Sequence, residues 1–212
     1  MNQPPAPDHL LFLTIAHDLR NPLATLNQLV YLMEHQPDPK YVRQMKAQLN
    51  LCESVVSNVL ALAGLMPSEK ERVPVRPLLG DAVGLVAVPF EIEMILGETS
   101  LSVWVNREQM TQALLNVLRN AIEAIGEGRG RIEIAATEKG NSVCIDIADS
   151  GPGFPSAVLA ADLQPVVSSK KDGIGIGLAA AARIIRANRG TLSLQNRPGH
   201  GACCSLILPC EP

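Results

Sequence analysis

The sequence predicts an α+β chain: an N-terminal two-helix hairpin that dimerises into a four-helix bundle, followed by an α/β sandwich with a mixed sheet. Three observations carry the prediction. Residues 8–35 and 40–66 each place apolar side chains at alternating spacings of 3 and 4, the signature of an a/d helical seam. Pro67, Pro74 and Pro77 then mark a break. Beyond it the chain is richer in glycine and mixes period-2 segments with helical ones.

The first helix carries Phe12, Ile15, Leu19, Pro22, Leu26, Leu29 and Met33 on its seam, with Asp8 as the expected N-cap. His17 falls off this seam and is expected to face outward. Gln36-Pro37-Asp38-Pro39 ends the helix. The second helix repeats the pattern with Val42, Met45, Leu49, Cys52, Val56, Val59, Ala63 and Met66. Two helices leave part of each stripe wet, and Leu23 and Val30 widen the apolar face. Pairing two hairpins about a two-fold axis covers it, so a homodimer is expected. The alternative is a hairpin packed on the downstream domain.

Domain bounds follow: a disordered leader over 1–7, the hairpin over 8–66, a linker over 67–76 and a second domain over 77–212. Within the last, 77–88 reads as a short helix and 101–105 as a strand. Asn106 caps a long helix that stops at Gly126, with Gln109 in the capping-box position. Residues 131–136 and 142–148 are strands joined by a turn at Lys139-Gly140-Asn141. Residues 150–173 show no period, and a loop that long inside a domain is usually a lid or a binding loop. An alanine-rich helix over 174–188 and strands over 191–195 and 202–208 complete the chain.

Bulk properties exclude several functions. A net charge of −3 with 18 Lys and Arg gives no footprint for nucleic acid. No stretch reaches the roughly 20 apolar residues of a membrane span, and the leader has no basic region of a signal peptide. The expected location is cytoplasmic. The five cysteines are odd in number and lack C-x-x-C spacing. They read as small hydrophobes in a reducing compartment rather than as a zinc site.

Four stretches can carry chemistry. His17-Asp18-Leu19-Arg20-Asn21-Pro22-Leu23 sets an imidazole beside a carboxylate, with a carboxamide one turn on and a proline after it. Proline inside a helix removes the hydrogen bond to the carbonyl of Asp18 and disturbs the helix beside the histidine. Asn116 and Asn120 share one face of the long helix, with Arg119 beside them. They are either oxygen ligands for Mg²⁺ or solvated asparagines. Asp149-Ser150-Gly151-Pro152-Gly153 leaves a strand and is either an acceptor for an exocyclic amine flanked by open glycines or a tight turn. Gly173-Ile174-Gly175-Ile176-Gly177-Leu178 opens a helix, where bare N–H groups bind anions. Its spacing fits neither a Walker A loop nor a dinucleotide fingerprint. Lys170 just before it could add charge.

Together these stretches resemble a sensor histidine kinase of two-component signalling, over nearly the whole chain after the leader. The stretch from His17 to Leu23 is similar to the phosphoacceptor box. Asn116-Val117-Leu118-Arg119-Asn120-Ala121 resembles the N box, Asp149 to Phe154 the first glycine box, and Gly173 to Leu178 the second. The boxes occur in the family's order, and the short lid looks most like the nitrogen-regulator branch. The resemblance implies a dimerisation and phosphotransfer hairpin and a Bergerat-type ATP-binding domain. By this match Asn120 would hold Mg²⁺, and Asn116, Arg119 and Lys170 would serve the phosphates. Asp149 would accept the adenine amine between Gly151 and Gly153, and Gly173, Gly175, Gly177 and Leu178 would line the triphosphate. Two departures stand out: aspartate replaces the commoner glutamate after the histidine, and the lid run Leu163 to Lys170 carries aliphatics where aromatics are expected.

The implied reaction is transfer of the ATP γ-phosphoryl to His17, with Asp18 taking the proton from the other ring nitrogen. Free imidazole, with a reference pKa of about 6.5, is largely neutral at pH 7. The group would then pass to an aspartate of a response-regulator receiver domain. Asn21, at His17 plus four, implies a phosphatase activity as well. The alternatives are a dimeric scaffold that binds ATP or a receiver without catalysis, and another ATPase or serine kinase of the same nucleotide fold. No sensor domain is expected within the chain, so input would come from a partner or from an excised region.

Overall fold

The computed structural model describes residues 7–65, 69–160, 176–199 and 201–212, with only the backbone described for 7–14. Helix α1 (Pro7–His35) runs unbroken through Pro22, and α2 (Pro39–Ala63) returns beside it. Asp8, expected as the cap of α1, is already helical. The turn between them is fixed by Asp38, whose carboxylate accepts from the Lys40 N–H at 2.8 Å, with Pro39 at the first helical turn. Gly64 closes α2 in the left-handed region, its N–H bonded to the Ala61 carbonyl.

The rest of the chain adds β1 (Glu71–Pro74), α3 (Val75–Leu85), β2 (Ile92–Leu96), β3 (Ser102–Val105), α4 (Arg107–Ile125), β4 (Gly130–Lys139), β5 (Ser142–Asp149), α5 (Ser156–Ala160), α6 (Ile176–Ala187), β6 (Thr191–Asn196) and β7 (Ala202–Pro209). Strands β2-β4-β5-β7-β6 form one sheet, and β1 pairs antiparallel with β3 in a small second one. The β2–β4 pair is parallel and the others in the large sheet are antiparallel, so the sheet is mixed as expected. Its inner face presents Ile132, Ile134, Val143, Ile145, Ile147, Leu206 and Leu208 to Met110, Leu114 and Leu118 of α4 and Ile184 and Ile185 of α6. Each such fully buried side chain contributes about 1.5–3 kcal/mol.

Three elements differ from the sequence reading. Glu71–Pro74 is a strand where a linker is read, because Val73 is buried against the partner strand. Ile92–Leu96 is a strand whose partner lies in β4. Ser156–Ala160 is one short helical turn inside the aperiodic loop. The capping box of α4 is also completed differently. Asn106 Oδ1 accepts from the Gln109 N–H at 2.9 Å as expected. The Asn106 N–H, however, donates to Asn188 Oδ1 at 2.8 Å, and Asn188 Nδ2 donates to Gln109 Oε1 at 2.9 Å. A buried asparagine just past α6 thereby ties the start of α4 to the end of α6.

The buried stripe of α2 is a second face beside the expected seam. Its buried residues are Ser54, Val55, Asn58 and Ala61 rather than the a/d seam. That stripe packs towards α4 and α6, while Leu49 and Val56 of the expected seam stay exposed, as do Leu23 and Val30 of α1. Cys144, Cys203 and Cys204 are buried, and burial pushes all three thiols up, away from thiolate chemistry.

Candidate active site

The phosphoacceptor stretch sits on the exposed side of α1. The His17 ring is 62% exposed and its Nδ1 lies 3.2 Å from Asp18 Oδ1. With Nδ1 donating to the carboxylate, Nε2 keeps the free lone pair. Partial burial raises the Asp18 carboxyl above its ordinary range, with the His17 bond acting in the opposite sense. A carboxylate shifted upward is the better proton acceptor.

Facing this turn is a cleft. It is lined by Asp18, Asn21 and Pro22 of α1, by Ser54 and Asn58 of α2, by Asn116, Arg119, Asn120 and Glu123 of α4, and by Gly177 at the start of α6. Two of the four sequence stretches, together with the end of a third, therefore meet in one place. His17 itself does not line the cleft but stands beside Asp18 at its rim. Leu178 also lines it, whereas Lys170, Gly173 and Gly175 lie outside the described residues.

The carboxamides and the guanidinium on α4 are engaged with α2. Asn116 Nδ2 donates to Asn58 Oδ1 at 2.8 Å, Gln112 Nε2 donates to the same oxygen at 3.1 Å, and Arg119 Nη1 donates to Ser54 Oγ. Burial lowers the Arg119 pKa, and the nearby Glu123 acts against that shift. An arginine stays charged under such a shift, so a cation held partly away from water faces the cleft. Among the described residues no group of three His, Cys, Asp or Glu could hold a metal ion. The oxygen donors that line the cleft include the carboxamides of Asn116 and Asn120 and the carboxylates of Asp18 and Glu123. That set fits an ion such as Mg²⁺, which keeps waters and takes phosphate oxygens alongside one or two protein ligands.

The second half of the candidate site lies past the C-terminal end of α4. Asp149 is 3% exposed at the end of β5. Its Oδ1 accepts from the Gly151 N–H at 2.8 Å and the Ala202 N–H at 3.4 Å. Gly153 has φ of +86°, and a Cβ there would meet Asn196 Oδ1 at 2.8 Å. The neighbour of Gly153 is thus a protein carboxamide: Asn196 accepts from the Phe154 N–H at 2.7 Å and donates to its carbonyl at 3.0 Å. Behind Asp149 runs Gly201, at φ +102°, where a Cβ would lie 2.1 Å from the Asp149 carbonyl oxygen. Gly201→Ala is expected to strain the backbone and push β7 off Asp149. The melting temperature should fall by about 5 °C or more, as read by circular dichroism.

Ser54, Asn58, Gln112 and Asn196 touch the site without standing in any of the quoted stretches. Ser54 and Asn58 do leave a trace, as two polar residues four apart on the same face as Val55 and Ala61. That spacing mirrors Asn116 and Asn120.

Comparison with known proteins gives the family of the chain and the kinship of its fold. Residues 105–212 match the family described as histidine kinase-, DNA gyrase B- and HSP90-like ATPase. The chain belongs to that family. Within it, the chain groups with the sensor histidine kinases of two-component signalling. It is 30% identical over 208 residues to the signal transduction histidine-protein kinase AtoS of Escherichia coli K12, covering 93% of this chain and 34% of AtoS. It therefore spans about a third of that relative. The catalytic domain of histidine kinase ThkA superposes with a TM-score of 0.59 at 26% identity, over 68% of this chain and 99% of that domain. ThkA in complex with the response regulator protein TrrA superposes with a TM-score of 0.66 at 24% identity, over 95% of this chain and 61% of the ThkA chain. No helix among the described residues is long and apolar enough to cross a membrane.

Proposed function

We propose that the chain is an ATP-dependent protein histidine kinase. It would phosphorylate itself on His17 and pass the group to an aspartate of a response-regulator receiver domain. The observation that carries this reading is the shared cleft: Asp18 and Asn21 of the phosphoacceptor turn face Asn116, Arg119, Asn120 and Gly177 across one opening. A triphosphate held by α4 and the start of α6 would lie in the same opening as Asp18 and Asn21.

In this reading His17 Nε2 attacks the γ-phosphorus and ADP leaves. Asp18 takes up the charge and the proton of Nδ1 as the ring becomes cationic. Arg119 offsets negative charge on the phosphates, and the N–H groups at the start of α6 add donors. Asn120 would hold Mg²⁺, which would supply positive charge against the phosphates. Asp149 accepts the adenine amine, with Gly151 and Gly153 beside it. By the family resemblance, Lys170, Gly173, Gly175 and Leu178 would serve the phosphates as well. The exposed apolar residues Leu23, Val30, Leu49 and Val56 support a homodimer in which a second hairpin covers them. Dependence on ATP supports a cytoplasmic location.

The test is incubation with [γ-³²P]ATP followed by filter assay. Acid-labile, base-stable label supports the kinase; bound nucleotide without label identifies a scaffold. The chain of ThkA with its response regulator, similar in fold, supports a receiver domain as acceptor.

Asn21 is exposed on the cleft side of α1, one turn past His17. We assign it to orienting water against the receiver's acyl phosphate. Asn21→Ala should leave autophosphorylation intact and slow dephosphorylation of the receiver by about 100-fold, the scale of one positioned catalytic group. Loss of autophosphorylation in that variant would remove the assignment.

A further inference from the structure

We infer that Asn58, on the hairpin, is a positioning residue for Mg²⁺-nucleotide binding: it takes the nitrogen of Asn116 and leaves the Asn116 oxygen to the cation. The inference rests on the reading of the cleft as the Mg²⁺·ATP site. Asn58 Oδ1 accepts from both Asn116 Nδ2 and Gln112 Nε2, donors one turn apart on α4. An amide oxygen has two lone pairs, so this acceptor is fully used. Asn58 and Asn116 are 7% and 5% exposed, so water does not compete for the bond.

The bond to Asn58 holds the Asn116 nitrogen on the α2 side, with one of its two hydrogens engaged, and so turns the oxygen the other way. That oxygen lies 3.8 Å from the point where a Cβ on Gly177 would stand, at the first turn of α6. An amide oxygen cannot pair with a phosphate oxygen, because both accept. It suits Mg²⁺ or a water of its shell. Asn116 is thereby moved from the phosphates, where the resemblance puts it, to the cation.

The consequence reaches across the chain. Docking of α2 on α4 and grip on the cation become coupled with a positive sign. Movement of α2 away from α4 frees the Asn116 carboxamide to turn, and by linkage Mg²⁺-nucleotide favours the docked hairpin. The reversed orientation, with Asn58 donating and the Asn116 nitrogen facing the cleft, gives the opposite sign. Aspartate at position 58 separates the two, since a carboxylate only accepts.

The experiment is isothermal titration of ADP into the whole chain, once with Mg²⁺ and once in chelator, with melting curves to check folding. Asn58→Leu should weaken Mg²⁺·ADP binding about tenfold, the lower end of what losing a group that orients a metal ligand costs. Binding in chelator should stay unchanged, and Asn58→Asp should restore the Mg²⁺-dependent part. Equal loss with and without Mg²⁺, tighter binding by Asn58→Leu, or no restoration by Asn58→Asp would each overturn the inference and leave the nucleotide reading standing. Wild-type chain that binds no ADP in either condition would bring down both.

Discussion

His17→Gln is expected to abolish acid-labile labelling from [γ-³²P]ATP while leaving ADP affinity intact. The reason is local. Glutamine fills similar space and can still hydrogen-bond Asp18, but its nitrogen lone pair is delocalised into the carbonyl and cannot attack phosphorus. The ring it replaces is exposed, so no packing is lost and the variant should melt with wild type. The structure supplies the matching half of the argument. Asp18 Oδ1 stands 3.2 Å from Nδ1, so the outward nitrogen is the one without a proton. Label that survives the substitution would mean that another group is the acceptor, and peptide mapping of the labelled chain would find it.

Asp149→Asn is expected to weaken ATP and ADP binding about 100-fold, within the 1.5–3 kcal/mol of a hydrogen bond to a charged group. The carboxylate already serves two backbone donors through Oδ1, from Gly151 and Ala202. An asparagine must either turn its nitrogen towards those donors or present it to the adenine amine. Donor meets donor in both cases. Because the site is buried, the mismatch is not relieved by water. Equilibrium titration with ADP measures the loss, and a melting curve separates it from unfolding. An unchanged dissociation constant would take Asp149 out of the adenine contact.

The sequence made some elements legible and hid others for physical reasons. The long helix after Asn106 shows its cap, its apolar face and its stop at Gly126, all within one continuous stretch, and α4 has those bounds. The strands on either side of Lys139-Gly140-Asn141 pair across a turn that is itself visible. Glu71–Pro74 and Ile92–Leu96 are harder. Each is a short run whose partner lies tens of residues away, so nothing local marks the pairing. The α2 heptad shows one face of the helix but is silent about the other. The helix has two usable faces, and the seam read from spacing is not the one that the downstream elements cover.

The candidate site divides in the same way. Asn116, Asn120 and Asp149 are legible because helix and strand periods place them. Asn196 is not, because its hold on Phe154 joins residues 42 apart through side chain to backbone.

What the sequence settled by itself is the chemistry within each stretch: which helices are amphipathic, where they are capped, and where an imidazole, paired carboxamides and an aspartate at a strand end occur. Those depend on a few neighbouring residues, and propensity and period act at that range. Only the tertiary structure decided which face of α2 is covered, that Asn58 meets Asn116 across 58 residues of chain, and that Asp18 and Asn21 share a cleft with α4. Such contacts follow from how whole faces pack, and a face with two possible partners leaves no record in its own spacing of which one it meets.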